Sequence, residues 1–142
     1  VEGVSEGRAV LVVGLPLPGV ALQPNRPQHY MARAEAKRLA RFEAHCEALQ
    51  AMREQHPAFV HSPVGSHLFG PCRATVQVTW PDRRRRDLDN LLASTKAYWD
   101  GFTDAGVWRD DSLVTWILPP ARVDKQAAGV VVTIEPIAEG DD

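Results

Sequence analysis

The segment Cys72–Trp80 (CRATVQVTW) sets Ala74, Val76, Val78 and Trp80 in strict alternation with Arg73, Thr75, Gln77 and Thr79. A period of two marks a strand with one buried face and one wet face. Such a strand is not stable alone, so the chain must supply strand partners and a cover for its apolar side. Arg8–Leu15 (RAVLVVGL), Ser112–Leu118 and Gly129–Ile137 (GVVVTIEPI) read as those partners. The cover comes from two segments of helical period. From about Tyr30 to Gln55, Leu39, Phe42, Cys46, Leu49 and Met52 recur every three or four residues and predict a core-facing stripe. After Pro81-Asp82, either Asp89 or Asn90 can cap a second helix that runs to about Asp104 and is stopped by Gly106. Its predicted core side is Leu88, Leu91, Leu92, Thr95, Trp99 and Phe102. Pro16–Pro27 and His56–Pro71 carry the turn residues of loops. The order β-α-β-α-β-β predicts an α+β fold, a small mixed sheet of about four strands packed by two helices.

A chain of 142 residues that is 44% hydrophobic can build its core without disulfides. One domain over residues 1–142 is expected, with 1–7 and 138–142 as flexible tails. Cys46 and Cys72 lack the spacing of a zinc site and are expected as buried free thiols of a reducing cytoplasm. His29, His45, His56, His61 and His67 form no zinc motif either. His61 and His67 are expected at the surface, and His29, with Asn25 and Arg26, could meet a phosphate ahead of the first helix. No stretch approaches the ~20 apolar residues of a membrane span, and no secretory signal is visible. There is no Walker loop and no GxGxxG, which argues against a nucleotide cofactor.

The formal net charge is −2, yet the charges are unevenly placed. Arg83, Arg84, Arg85 and Arg86 are consecutive and run straight into Asp87-Leu88-Asp89-Asn90. In an extended segment Asp87 and Asp89 would point the same way. Two carboxylates ~4 Å apart at an effective dielectric of ~20 repel by roughly 4 kcal/mol, which a divalent cation between them relieves. Their hard oxygens suit Mg²⁺ or Mn²⁺. Asp110-Asp111 follows Trp108 in a predicted turn and could bring a third carboxylate back to this pair. Lys96, seven residues beyond Asp89, falls on nearly the same helical face, with Ala93 between them and Asp100 continuing the stripe. A lysine there could bind a phosphate or steady a leaving oxygen. The arginines could hold phosphates that the acids would otherwise repel. Trp80, Trp99, Trp108 and Trp116 read as core or interface anchors, with Trp108, beside the acids, the one placed for an interface role.

The run Asp82–Leu91, followed by Lys96, Asp100, Ala105-Gly106, Trp108 and Asp110-Asp111, resembles the RusA family of Holliday junction resolvases of bacteria and their prophages. The likeness is specific over about residues 81 to 115. It implies a RusA-like fold in which Asp87, Asp89 and Asp111 bind the metal and, with Lys96, form the catalytic set. Asp110 matches the acid adjoining the third ligand, and Asn90 completes the signature. Arg83, Arg84, Arg85, Arg86, Asn90 and Lys96 are the expected DNA contacts.

The resemblance further implies an Mg²⁺-dependent endonuclease, with Mn²⁺ as a substitute, cutting paired strands of a four-way junction. It would act as a homodimer in DNA recombination and repair, in the cytoplasm of a bacterium or of a phage-infected host. A C2 dimer would match the symmetry of the junction. One departure stands out. The Asp89–Lys96 spacing is about three residues longer than in the best-known family member, which along a continuous helix would shift the lysine by ~4.5 Å. That departure leaves open a branched-DNA binder of the same fold with weak or no cleavage. A DxD can also grip a nucleotide-sugar diphosphate in a transferase, but the chain is short for that and shows no nucleotide-binding unit.

Overall fold

The computed structural model describes residues 9–19, 22–23 and 30–137. The expected tails, His29 with Asn25 and Arg26, and part of the Pro16–Pro27 loop lie outside the described residues. Among the described residues five strands and three helices follow in the order β1 (Leu11–Leu15), α1 (Tyr30–Gln55), β2 (Cys72–Trp80), α2 (Leu88–Ser94), α3 (Lys96–Ala105), β3 (Val114–Ile117), β4 (Arg122–Val123) and β5 (Gly129–Pro136). The architecture is α+β with a mixed sheet, as the sequence predicts. The additions are the two-residue β4 and a division of the second helix at Thr95.

The sheet order is β1-β5-β2-β3, with β4 pairing beside β3 on the same strand, β2. β5 runs antiparallel to both β1 and β2, while β3 and β4 run parallel to β2. β1 and β2 therefore point the same way with β5 between them, and α1 makes the connection. The α2–α3 pair makes the second parallel crossover, from β2 to β3.

Register explains the core. Leu11, Val13 and Leu15 pair with Ile134, Val132 and Val130, and Ala74, Val76 and Val78 continue the same face across β2. All nine are buried. The other face holds Arg73, Thr75, Gln77 and Thr79 beside the exposed Val12 and Val131.

The core face of α1 differs from expectation. Leu39 and Phe42 are exposed, at 52% and 63%, and Cys46 is exposed too. The buried stripe is Ala40, Ala44, Ala48, Ala51 and Met52. The cause lies on the partner helix. A β-carbon at Gly101 of α3 would stand 2.3 Å from the Arg41 carbonyl oxygen and 2.9 Å from the Ala44 β-carbon. Only small residues on both sides permit such an approach, so the alanine face wins over the larger side chains. The bidentate Arg41–Asp104 pair, at 2.6 and 2.8 Å, closes the same contact at its edge.

The second helix also departs in detail. Its cap is Asp87 rather than Asp89 or Asn90. Leu91, Thr95, Trp99 and Phe102 are buried as expected, but Leu88 and Leu92 are exposed. Trp108 is fully buried, with Nε1 donating to Thr103 Oγ1 at 2.9 Å, so it is a core residue and has no surface role. Trp116, at 40% exposure, is the accessible indole of this region. The His56–Pro71 loop contains a 3-10 turn at Pro57–His61 and buries Phe69, whose backbone bridges to Trp108. Among the described residues no helix is long and apolar enough to cross a membrane.

Candidate active site

Asp87 is extended, at φ −91° and ψ 120°, and its Oδ1 accepts the Asp89 N–H at 2.9 Å. This is the N-cap of α2, so one carboxylate satisfies a helix-end donor that would otherwise lack a partner. Asp89 then sits in the first helical turn, not in extended chain. The two acids are neighbours because of the cap. Both lie in the first turn or cap of α2 and are exposed.

The arginine segment is shaped by the same kind of turn. Asp82 Oδ1 accepts the Arg84 N–H at 2.9 Å, and this bond, with the nearby Arg86 and Arg84 guanidinium groups, holds the Asp82 carboxyl below the usual range. Arg86 is turned inward. Its guanidinium stacks on Trp80 at 4.6 Å, donates to the carbonyls of Asp82 and Arg84 at 2.8 and 2.7 Å, and pairs with Asp82 Oδ1 at 2.8 Å. Its neighbours Arg83, Arg84 and Arg85 are exposed. Arg84, Arg85, Asp87, Asn90 and Ser94 line a common cleft of about 390 Å³.

Lys96 opens α3. Its Nζ lies 2.8 Å from Asp111 Oδ2 and 3.0 Å from Asp100 Oδ1. Asp111 and then Asp100 raise the lysine pKa, so the side chain is held as a cation. The pairing spans fifteen residues and depends on how the chain returns after α3. Gly106, at φ 87°, ends the helix in the left-handed region. Asp110 then caps a 3-10 turn by accepting the Ser112 N–H at 3.0 Å, which lowers its own pKa. Trp99 and Trp116, with ring centroids 4.8 Å apart, tie α3 to β3 on the other side of this turn. Lys96 and Asp111 stand at the rim of a groove of about 220 Å³ walled by Trp99, Trp116 and Leu92.

The predicted residues thus form two groups. Asp87, Asn90, Arg84 and Arg85 share a cleft, with Asp89 beside them in sequence, whereas Lys96, Asp100 and Asp111 form an ion-paired cluster. The stripe from Asp89 through Ala93 to Lys96 is broken at Thr95. There the N–H is shared between the carbonyls of Leu91 and Leu92, at 3.2 and 3.4 Å, and the next bond is the tighter Tyr98 N–H to Thr95 O, at 2.9 Å. Among the described residues no three His, Cys, Asp or Glu side chains gather closely enough to cage a metal ion. The donor set still suits a hard cation. Mg²⁺ keeps several waters and commonly takes only one or two carboxylates, with substrate phosphates completing its shell. The exposed Asp87 and Asp89 carboxylates meet that requirement.

Sequence reasoning overlooked a second set of cations. Lys37, Arg38 and Arg41 of α1 face Lys96 and Asp100 across a cleft of about 410 Å³. In sequence they look like the solvated side of an amphipathic helix. The signal that was available is the spacing of Arg33, Lys37 and Arg41, every fourth residue, next to an alanine stripe.

A family model described as Endodeoxyribonuclease RusA matches residues 22–135. A crossover junction endodeoxyribonuclease RusA of Aquifex aeolicus (strain VF5) is 38% identical over 56 residues, covering 39% of this chain and 42% of that protein. The proteins of that name from Escherichia coli (strain K12) and Enterobacteria phage 82 are each 50% identical over 44 residues, 31% of this chain and 34% of theirs. The chain thus spans less than half the length of the curated relatives it matches. The family match, by contrast, extends well beyond the acidic motif to α1 and nearly all of β5, and the chain belongs to the RusA family.

Proposed function

We propose that the chain forms one endonuclease domain that binds four-way DNA junctions and hydrolyses phosphodiesters at paired, symmetric positions. It acts as a homodimer in DNA recombination and repair, in the cytoplasm of a bacterium or a phage-infected host. Family membership supports the reaction class. The observation that carries the reading is the Lys96–Asp111 contact on the helix unit that follows the Asp87 cap. It joins residues distant in sequence at a solvent-open rim.

Asp87 and Asp89, with Asp111, would hold Mg²⁺, for which Mn²⁺ could substitute. When bound, the ion supplies charge neutralisation and an activated water for phosphodiester hydrolysis. The protein's own groups do the rest. Lys96 stays protonated through Asp111 and Asp100 and donates to a phosphate oxygen as negative charge develops there. Donation requires its ammonium to exchange one carboxylate for the phosphate, an exchange between groups of like charge at the exposed rim. Asn90, Arg84 and Arg85 line one cleft and position the backbone, with Arg83 beside them. Arg86 holds the arginine segment in shape. Two-fold symmetry of the dimer would set two such sites on opposed strands.

A second reading is junction binding with weak or no cleavage. It is favoured by the carboxylates, no three of which gather among the described residues closely enough to cage a metal ion. A synthetic four-way junction with Mg²⁺ separates the two. Under the first, wild type yields symmetric nicks, while Asp89→Asn binds without cutting. Under the second, wild type binds and does not cut. A wild-type protein that neither binds nor cuts would end both.

A further inference from the structure

The cleft between α1 and the α2–α3 unit shares Lys96 and Asp100 with the acid–lysine cluster and extends from it to α1. Lys37, Arg38 and Arg41 form one wall, and Lys96 stands on the other. Between them the lining holds the small Ala93, Ser94 and Ala97, together with Leu22 and the Asp100 carboxylate that Lys96 pairs. Ser94 also lines the cleft of Arg84, Arg85 and Asn90, so the two depressions flank the same residue of α2.

The cations of this cleft are not equivalent. Arg41 is committed to Asp104, and Arg38 holds Glu35 at 2.6 Å. Lys96 is shared between Asp100 and Asp111. Among the described residues no carboxylate pairs with Lys37, which is exposed. Lys96 balances only one of its two acids, so these four cations and four carboxylates sum to zero, and Lys37 is the cation left for an incoming anion.

We propose that Lys37 binds a DNA backbone phosphate. It makes α1 the far wall of a strand path that runs from the arginine segment across Ser94 to the α1 cleft. This deepens the nuclease reading above and rests on it. Three features point to a polyanionic strand as the occupant. The cleft shares Ser94 of α2 with the cleft lined by Arg84 and Arg85. The path passes Lys96, the group assigned to the scissile phosphate. Ala93, Ser94 and Ala97 keep the α2–α3 side of the cleft low, so a sugar–phosphate chain can lie close to the helix there.

The test is salt-dependent binding of a synthetic four-way junction, followed by fluorescence anisotropy in EDTA so that no cleavage intervenes. Each neutralised phosphate contributes about −0.9 to the slope of log affinity against log salt. Lys37→Ala should lower the slope magnitude by about 0.9 for each protomer that engages DNA. The wild-type advantage should then shrink about 3.5-fold per engaged protomer between about 50 and about 200 mM salt. Lys37→Arg should restore the wild-type slope, because the site needs charge. Arg53→Ala is the control, ~24 Å further along α1, and should leave the slope unchanged. An unchanged slope in Lys37→Ala, or an equal loss in Arg53→Ala, overturns the proposal while leaving the nuclease reading intact. A wild-type protein with no junction affinity overturns the reading on which it rests.

Discussion

Replacing Gly101 by alanine sets two effects of opposite sign against each other. In an isolated helix the change would stabilise by about 0.8–1.0 kcal/mol, because alanine loses less backbone entropy than glycine. In this protein the added carbon would meet the Arg41 carbonyl oxygen at 2.3 Å, the Ala44 β-carbon at 2.9 Å and the His45 nitrogen at 2.9 Å. Two of those three atoms are α1 backbone and cannot rotate away. Relief requires α1 and α3 to separate by about 1 Å, which also loosens the Arg41–Asp104 pair. Overpacking of a well-packed contact costs about 1–3 kcal/mol and occasionally more, and a clash with backbone belongs at the upper end. The exposed ion pair adds at most about 1 kcal/mol. The packing cost therefore wins, and a net destabilisation of about 2–3 kcal/mol is expected. For a chain of this size that lowers Tm by roughly 6–12 °C. Urea unfolding followed by tryptophan fluorescence, with calorimetry alongside, measures both. Gly14→Ala is the comparison, since a β-carbon there meets nothing within 4 Å. If Gly101→Ala unfolds at the same or a higher urea concentration than wild type, helix propensity decides and the close-contact argument is refuted.

The Asp104 carboxyl is held below its usual pKa, first by the hydrogen bond from Arg41 and then by its charge. A carboxyl depressed in the folded state contributes stability that is full above its unfolded pKa of about 3.9 and is lost as the pH falls through the folded value. Wild type should exceed Asp104→Asn by about 0.5–1 kcal/mol at neutral pH, and urea midpoints of the two should converge below about pH 4; a gap that persists in acid refutes the assignment. The thiols should separate cleanly, since Cys46 is exposed whereas Cys72 is buried with its thiol pushed up to about 11. Ellman's reagent at mildly alkaline pH should therefore titrate Cys46 at once and Cys72 only after denaturant, and prompt reaction of both in the native protein would contradict the burial.

Strand β2 was legible to the residue because alternation is a local property and both of its faces are used. The limits of α1 were equally legible, but its orientation was not. Scales that rank Leu39 and Phe42 above Ala40 and Ala44 measure transfer from water, whereas this helix is oriented by how closely α3 can approach. That distance depends on Gly101, some sixty residues away, and no window along α1 contains it. The Asp87–Asn90 motif was visible as chemistry but not as conformation. The cap falls on Asp87 because its carboxylate reaches forward to the free helix N–H of Asp89. The Lys96–Asp111 contact lay beyond reach for another reason. It follows from the left-handed turn at Gly106 and the tryptophan packing behind it, which are tertiary outcomes. The division at Thr95 did leave a trace, since Ser94 and Thr95 are residues whose hydroxyls bond back to preceding carbonyls, here Leu91 and Leu92 at 2.9 Å each.

That division gives the two halves of the site separate mountings. Lys96 rides on α3, which is wedged against α1 at Gly101 and braced on β3 through Trp99 and Trp116. Asp87 and Asp89 ride on the seven-residue α2, whose position follows from the end of β2 and from the arginine segment that Arg86 pins to Trp80. The seven residues from Asp89 to Lys96 are thus spanned by two helices meeting at Thr95 and not by a single rod. The lysine takes its bearing from helix packing, and the acids take theirs from the end of β2.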